Sequence, residues 1–241
     1  MESSASFPST CWSRILAGPA RDYAGRASAL ESLAATCWKP VYAYVRARWS
    51  KPPEEAADLT QEFFLWMMEN DFLAAVDRDR GRSRPVLKTA LRNFVIDAHR
   101  RDTALRRGGD RKFVLIGGDG GALPALDVPD PRGRSPEEIL DEAWRNEVLA
   151  RALAALEDAL RRDGKETVFL VFRDYFLKEA GELRYADVAA RYGIAPVDIS
   201  NHLIHAKAAY REALRRVVAE TVDGEAGLRE ELNGLFGERH A

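Results

Sequence analysis

The chain has 241 residues, 46% of them hydrophobic and 31% charged, with a formal net charge of −2. That is enough for one large domain or two small ones, and the overall charge by itself argues against a polyanion-binding protein. Two cysteines, Cys11 and Cys37, argue against a disulfide framework or a cysteine zinc site, and no apolar run is long enough to span a bilayer.

Residues 1–25 read as an N-terminal segment; their opening, "MESSASFPST", lacks the basic-then-apolar order of a secretion signal, so a cytoplasmic location with no membrane partner is expected. Leu30, Leu33, Ala34, Cys37, Val41 and Tyr44 then recur at helical spacing, with Pro40 expected to bend or divide the run. A second helix opens at Pro52-Pro53 with an acidic first turn and carries Leu59, Phe63, Phe64, Met67 and Met68. Its strip of Phe63, Phe64, Trp66, Met67 and Met68 reads as core more readily than as a partner surface, with Trp66 partly exposed. A third helix, Val86 to Arg101, sets Leu87, Ala90, Leu91, Phe94, Val95 and Ala98 on one side.

Charge along this part of the chain is uneven. Between Arg80 and Lys112 eleven bases face three acids, a net +8, whereas between Asp119 and Glu147 eight acids face three bases, a net −5. A basic block beside an acidic one suits a polyanion over part of its length, although solvated helix faces produce the same pattern. The segment "RRGGDRKFVLIGGDGGALPALDVPDPRGRSPEE" is rich in Gly, Pro and Asp and reads as a linker. Ser135 then caps a helix from about Pro136 to Arg162, followed by helices at Glu166–Lys178, Tyr185–Tyr192 and Pro196–Val218, with an amphipathic piece from Leu228 to Phe236. The expected fold is all-α: two helical domains, 26–108 and 136–218, joined by an extended flexible linker, 109–135, with an extension at 219–241.

The stretch "RYADVAARYGIAPVDISNHLIHAKAAYREALRR" carries the most information. Val188, Ala189 and Tyr192 give a short helix its inner face. Gly193 ends that helix in a left-handed conformation, Ile194 is an apolar plug, and Ala195-Pro196 starts the next helix. Ile199, Leu203, Ala206 and Tyr210 form the inner stripe of the second helix. Two short helices joined by a Gly-containing turn match the DNA-reading helix-turn-helix, with a plain helical hairpin as the alternative. The stripe leaves Val197, Asp198, Asn201, Ile204 and His205 pointing outward, with Ser200, His202 and Lys207 at the margins. Asn suits adenine, Asp suits cytosine, and Val or Ile suits a thymine methyl, while Lys207 and Arg211 are placed for phosphates. His202 and His205 suggest half a metal site, but no third ligand lies nearby in sequence and only His99 and His240 remain elsewhere.

Two blocks resemble one family, the bacterial sigma factors of the extracytoplasmic-function type. The helix-turn-helix looks like sigma region 4, and "EEAADLTQEFFLWMMENDFLAAVDRDRGRSRPVLKTALRNFVIDAHRRDTALRRGG" looks like sigma region 2. "FPSTCWSRIL" and "CWKPVYAYVRARW" are similar to the start of a subgroup, so the resemblance runs from about Phe7 to Val218. It implies a non-enzymatic protein without cofactor that binds core RNA polymerase at the β′ clamp helices and the β flap and directs it to promoter DNA. The −35 element falls to Val197, Asp198, Ser200, Asn201, His202, His205, Lys207 and Arg211. The melted −10 element falls to Arg80, Arg82, Arg84, Lys88, Arg92, Asn93, Arg100 and Arg101. Within "DLTQEFF" and just before it, Glu55, Asp58, Gln61 and Glu62 are the implied polymerase contacts. The acidic linker is implied to thread polymerase channels, its carboxylates mimicking nucleic-acid charge.

The chain departs from the family's pattern at several points. Ala56 and Ala57 stand in the docking segment where an acid is expected, and Thr60 lies in the same turn. Some family members answer to a serine/threonine kinase instead of an anti-sigma protein, which makes Thr60 a candidate phosphorylation site whose phosphate adds about −2 of charge to this surface. Ser200, Asn201, His205 and Ala208 occupy positions that usually hold Arg or Lys, which weakens phosphate attraction. Phe94, the ring within the third helix, reads as core and not as a base-stacking platform. Leu228, Leu232 and Leu235 fit a helix that either caps region 4 or binds a regulator, with capping preferred. The competing readings are a helix-turn-helix regulator that acts without docking on polymerase, which predicts dimers and palindromic sites, and a metal-dependent hydrolase built on His202 and His205.

Overall fold

The computed structural model describes residues 23–49, 52–69, 83–106, 133–176, 184–222 and 224–237, which hold eight helices and no strand. In chain order these are α1 (Tyr23–Trp49), α2 (Pro53–Glu69), α3 (Ser83–Arg106), α4 (Pro136–Arg162), α5 (Glu166–Phe176), α6 (Tyr185–Tyr192), α7 (Pro196–Ala219) and α8 (Gly224–Phe236). The protein is all-α among the described residues, and none of its described helices is long and apolar enough to cross a membrane. The chain divides into two compact units, Met1–Arg145 with Thr221–Gly227 and Asn146–Glu220 with Leu228–Ala241. Most of the expected linker lies outside the described residues, and the division falls inside α4.

The buried residues of α4 follow a regular spacing. Leu140, Trp144, Val148, Ala152, Leu156 and Leu160 are all buried and recur every fourth residue. A step of four advances about 40° beyond a full turn, so five steps rotate the stripe by about 200°. The start of α4 is capped reciprocally: the Glu138 amide donates to Ser135 Oγ at 3.2 Å, and the Ser135 amide donates to Glu138 Oε2 at 2.7 Å. These Ser135 hydrogen bonds hold the Glu138 carboxyl below its ordinary range.

In the first unit α1 packs on α2, and α2 on α3. Pro40 does not divide α1, which runs unbroken through it. A proline inside a helix costs about 3 kcal/mol, but Cys37, Val41, Tyr44 and Val45 are buried on both sides of it, and that packing holds the helix together. Phe94 of α3 is the hub. It meets Trp49 of α1 at 6.2 Å and Phe63 and Trp66 of α2 at 5.5 and 5.9 Å, each edge-on, the arrangement aromatic quadrupoles favour. Phe63, Phe64, Trp66 and Met67 are all buried, so these four residues of the strip on α2 are core, Trp66 included, while the Met68 side chain lies outside the described ones. Phe64 stacks under Trp38, whose ring remains partly exposed.

In the second unit α5 is the central element. Val168, Phe169 and Phe172 meet Leu156 and Leu160 of α4 and Ala206 of α7. Val171, a quarter-turn round, meets Val188 and Ala189 of α6 and Ile199 and Leu203 of α7. Leu228, Leu232 and Leu235 of α8 are buried in this same unit, and Glu231 is buried with them.

Replacing Phe94 with Ala removes the ring on which three helices converge. We expect a loss of about 3–5 kcal/mol in urea unfolding, against less than about 0.5 kcal/mol for the exposed neighbour Asn93→Ala.

Candidate nucleic-acid interface

The α6–α7 turn is built as its residue types dictate. Gly193 takes φ 65°, a left-handed conformation that costs other residues free energy. The Ile194 amide then donates back to the Ala189 carbonyl at 3.1 Å, closing the end of α6. Ile194 packs on the small core of Val188, Ala189, Ile199 and Leu203. Pro196 opens α7 at its first turn. At the start of α6 the Asp187 carboxylate accepts from the Arg184 amide.

With Ile199, Leu203 and Ala206 buried, the opposite face of α7 is left to solvent. Val197 is 72% exposed and Ile204 65%; Ser200, Asn201, His205, Lys207 and Arg211 are exposed around them. Asp198 and His202 are half-buried, and His202 Nδ1 donates to the Asp198 carbonyl at 2.8 Å, which ties its ring back to the helix. Two large apolar side chains in open water among short polar ones suit a surface that meets base edges and methyl groups. Lys207 lies over the Phe176 ring at 4.8 Å. Beside it runs a groove of about 420 Å³ lined by Leu149, Leu153, Phe172, Phe176 and Tyr210, with Lys207 and Arg211 as its cations. Burial pushes the Tyr210 hydroxyl above its ordinary pKa, and that hydroxyl donates to the Leu149 carbonyl at 3.3 Å.

One residue that positions this motif was not legible from periodicity. Asp174, in α5, is 0% exposed and accepts hydrogen bonds from Arg191 and from the Tyr192 hydroxyl at 2.6 Å, with Arg173 at 3.4 Å. It clasps the last turn of α6 to α5. Burial first, and the hydrogen bond to Asp174 second, raise the Tyr192 hydroxyl above its ordinary pKa, while the Asp174 hydrogen bond raises Arg191. The signal available in sequence was an acid set among the rings of "VFLVFRDYF", three residues after buried Val171.

In the first unit the expected −10 residues do not form a single face. Arg80 and Arg82 lie outside the described residues. Arg92, Asn93 and Arg100 are exposed, whereas Arg84 and Lys88 are partly buried and both turn to Asp141 of α4, each at 2.7 Å. Arg101 pairs with Glu62 of α2 at 2.6 Å. The expected polymerase contacts share an outer face of α2: Glu55, Asp58 and Gln61 are exposed beside Leu65, which is 52% exposed, and Glu62 is half-exposed. Ala56 is fully buried, so an acid there had no outward place, and only Ala57 leaves this face short of charge.

Thr60 corrects an expectation. Its side chain is 0% exposed, and its hydroxyl donates to the Ala56 carbonyl at 2.7 Å. A kinase cannot reach it while α2 is packed, so phosphorylation at this position is set aside. No group of three or more His, Cys, Asp or Glu side chains among the described residues comes together to hold a metal ion. His202 and His205 therefore gain no third ligand there, and His240 lies outside the described residues. Comparison with known proteins finds no matching family model, curated protein or solved structure.

Two substitutions check these placements by unfolding. Thr60→Asp, a charge in the position a phosphate would take, is expected to cost about 3–5 kcal/mol, while Thr60→Val changes stability by less than about 1 kcal/mol. On α7, Ile204→Ser leaves stability within about 0.5 kcal/mol, whereas Leu203→Ala, one residue away, costs about 2–5 kcal/mol.

Proposed function

We propose that this protein is a sigma factor of the extracytoplasmic-function type, which binds core RNA polymerase and directs it to promoters. The single observation that carries the reading is that one chain holds two separate helices with donor-bearing faces turned outward: α7 in a helix-turn-helix and α3 in a basic segment. A regulator that works through its helix-turn-helix alone has no use for the second.

In this reading α7 enters the major groove of the −35 element. Asn201 pairs with the edge of an adenine, Val197 and Ile204 meet thymine methyl groups, and Lys207 and Arg211 meet phosphates. Arg92, Asn93 and Arg100 hold the opened −10 strand through charge and hydrogen bonds. Phe94 is buried, so α3 lends no exposed ring for stacking a base. The outer face of α2, with Glu55, Asp58, Gln61, Glu62 and Leu65, docks on the β′ clamp helices. The groove beside Lys207 suits an amphipathic helix of the β flap. The two helical domains act on separate stretches of the promoter, and the polymerase, not this chain, makes the bonds. The cytoplasm is where such a protein works, and an anti-sigma protein is the regulator its architecture accepts.

Co-purification with core polymerase followed by runoff transcription on genomic fragments tests the reading. We expect stable association and promoter-specific transcripts. Duplex binding without any affinity for core polymerase would favour the stand-alone regulator instead. In mobility-shift titrations Lys207→Ala and Arg211→Ala should each weaken binding to all sequences alike and reduce the salt slope by about 1, whereas Asn201→Ala should cost about 1–3 kcal/mol at its own base pair.

A further inference from the structure

Arg84 and Lys88 stand one turn apart on α3 and grip the two oxygens of a single carboxylate. Arg84 Nη1 donates to Asp141 Oδ1 and Lys88 Nζ to Asp141 Oδ2, both at 2.7 Å. The contact joins residues 57 and 53 positions apart in sequence, so local helix geometry does not force it. It is partly withdrawn from water: the side chains of Arg84, Lys88 and Asp141 are 13%, 30% and 29% exposed. Burial alone pushes the Asp141 carboxyl up, but the hydrogen bonds and charges of Lys88 and Arg84 outweigh it and hold the group below its ordinary range.

Two cations that share the oxygens of one anion form a site for a two-oxygen anion, and a backbone phosphate presents the same acceptor pair. We infer that Arg84 and Lys88 form a phosphate clamp that Asp141 plugs in the free chain, so that this end of α3 is self-inhibited until a nucleic-acid phosphate displaces the carboxylate. The inference rests on the reading above, in which α3 meets the −10 strand. Ion pairs with this much water contact are weak. A polyanion that gains from counterion release can displace one, while isolated anions at ordinary concentration do not. Arg92, Asn93 and Arg100 lie outside the plug and make the first contact. Asp141 therefore raises the threshold for binding without abolishing it, and it favours long strands with several phosphates over short ones.

The test uses the full chain and a fluorescent single-stranded oligonucleotide, followed by anisotropy at 50 and 200 mM salt. Asp141→Asn keeps the shape and removes the charge. It should tighten binding about 5–10-fold at the lower salt and steepen the salt dependence by about one phosphate contact. Adding Arg84→Ala and Lys88→Ala to that variant should cancel the gain. If Arg84→Ala with Lys88→Ala weakens the native chain while Asp141→Asn changes nothing, the plug is wrong and the DNA-binding face stands. If none of these variants alters binding, the plug and the reading of α3 both fall. Weaker binding by a folded Asp141→Asn chain would make Asp141 a supporting residue and overturn the proposal. A second measurement needs no variant. Amine acetylation of the free native chain should label Lys88 several-fold more slowly than exposed Lys165, and equal rates would overturn the plug.

Discussion

A helix packed on one side hides a stripe of apolar side chains, and the geometry of 3.6 residues per turn leaves the opposite face to water. The rest of the structure depends on that constraint. On α7, burying Ile199, Leu203 and Ala206 forces Val197, Asn201, Ile204 and His205 outward. On α2, burying Ala56, Phe63 and Met67 forces Glu55, Asp58, Gln61 and Leu65 outward. The candidate interfaces are thus the faces that the cores leave over. On α4 the buried stripe winds round the helix, and the division between the two units falls within it.

A second layer of structure is set by charges that find partners at long range. Asp174 reaches Arg191 and Tyr192 across 17 and 18 residues, and its burial makes it a clasp for α6. Glu62 and Arg101, expected to serve different partners, pair with each other across 39 residues. Asp141 occupies Arg84 and Lys88. A charged side chain on a small all-helical protein satisfies itself with whatever opposite charge its neighbours bring, and a binding function has to be expressed against that internal competition.

Much of this was legible in the chain itself. Helix ends were marked by Ser135, Pro196 and Gly193 because capping and φ restrictions are local properties of one or two residues. The sides of α7 were legible because periodicity projects directly onto a cylinder. Pro40 does not divide its helix, where residues on both sides of it are buried. Trp66 and Thr60 misled for a reason of packing. A helix flanked on more than one side buries a wider arc than a single apolar stripe, and whether α2 is flanked so depends on α1 and α3, not on α2.

The sequence by itself determined eight helical segments, the turn between α6 and α7, and the outward face of α7, because each depends on the conformational preferences of neighbouring residues and on a fixed helical period. Only the tertiary structure decided that Thr60 is sealed, that Asp174 is a clasp, and that Asp141 sits between Arg84 and Lys88. Those facts rest on which distant residues are brought within about 3 Å of one another, and no local preference carries that distance.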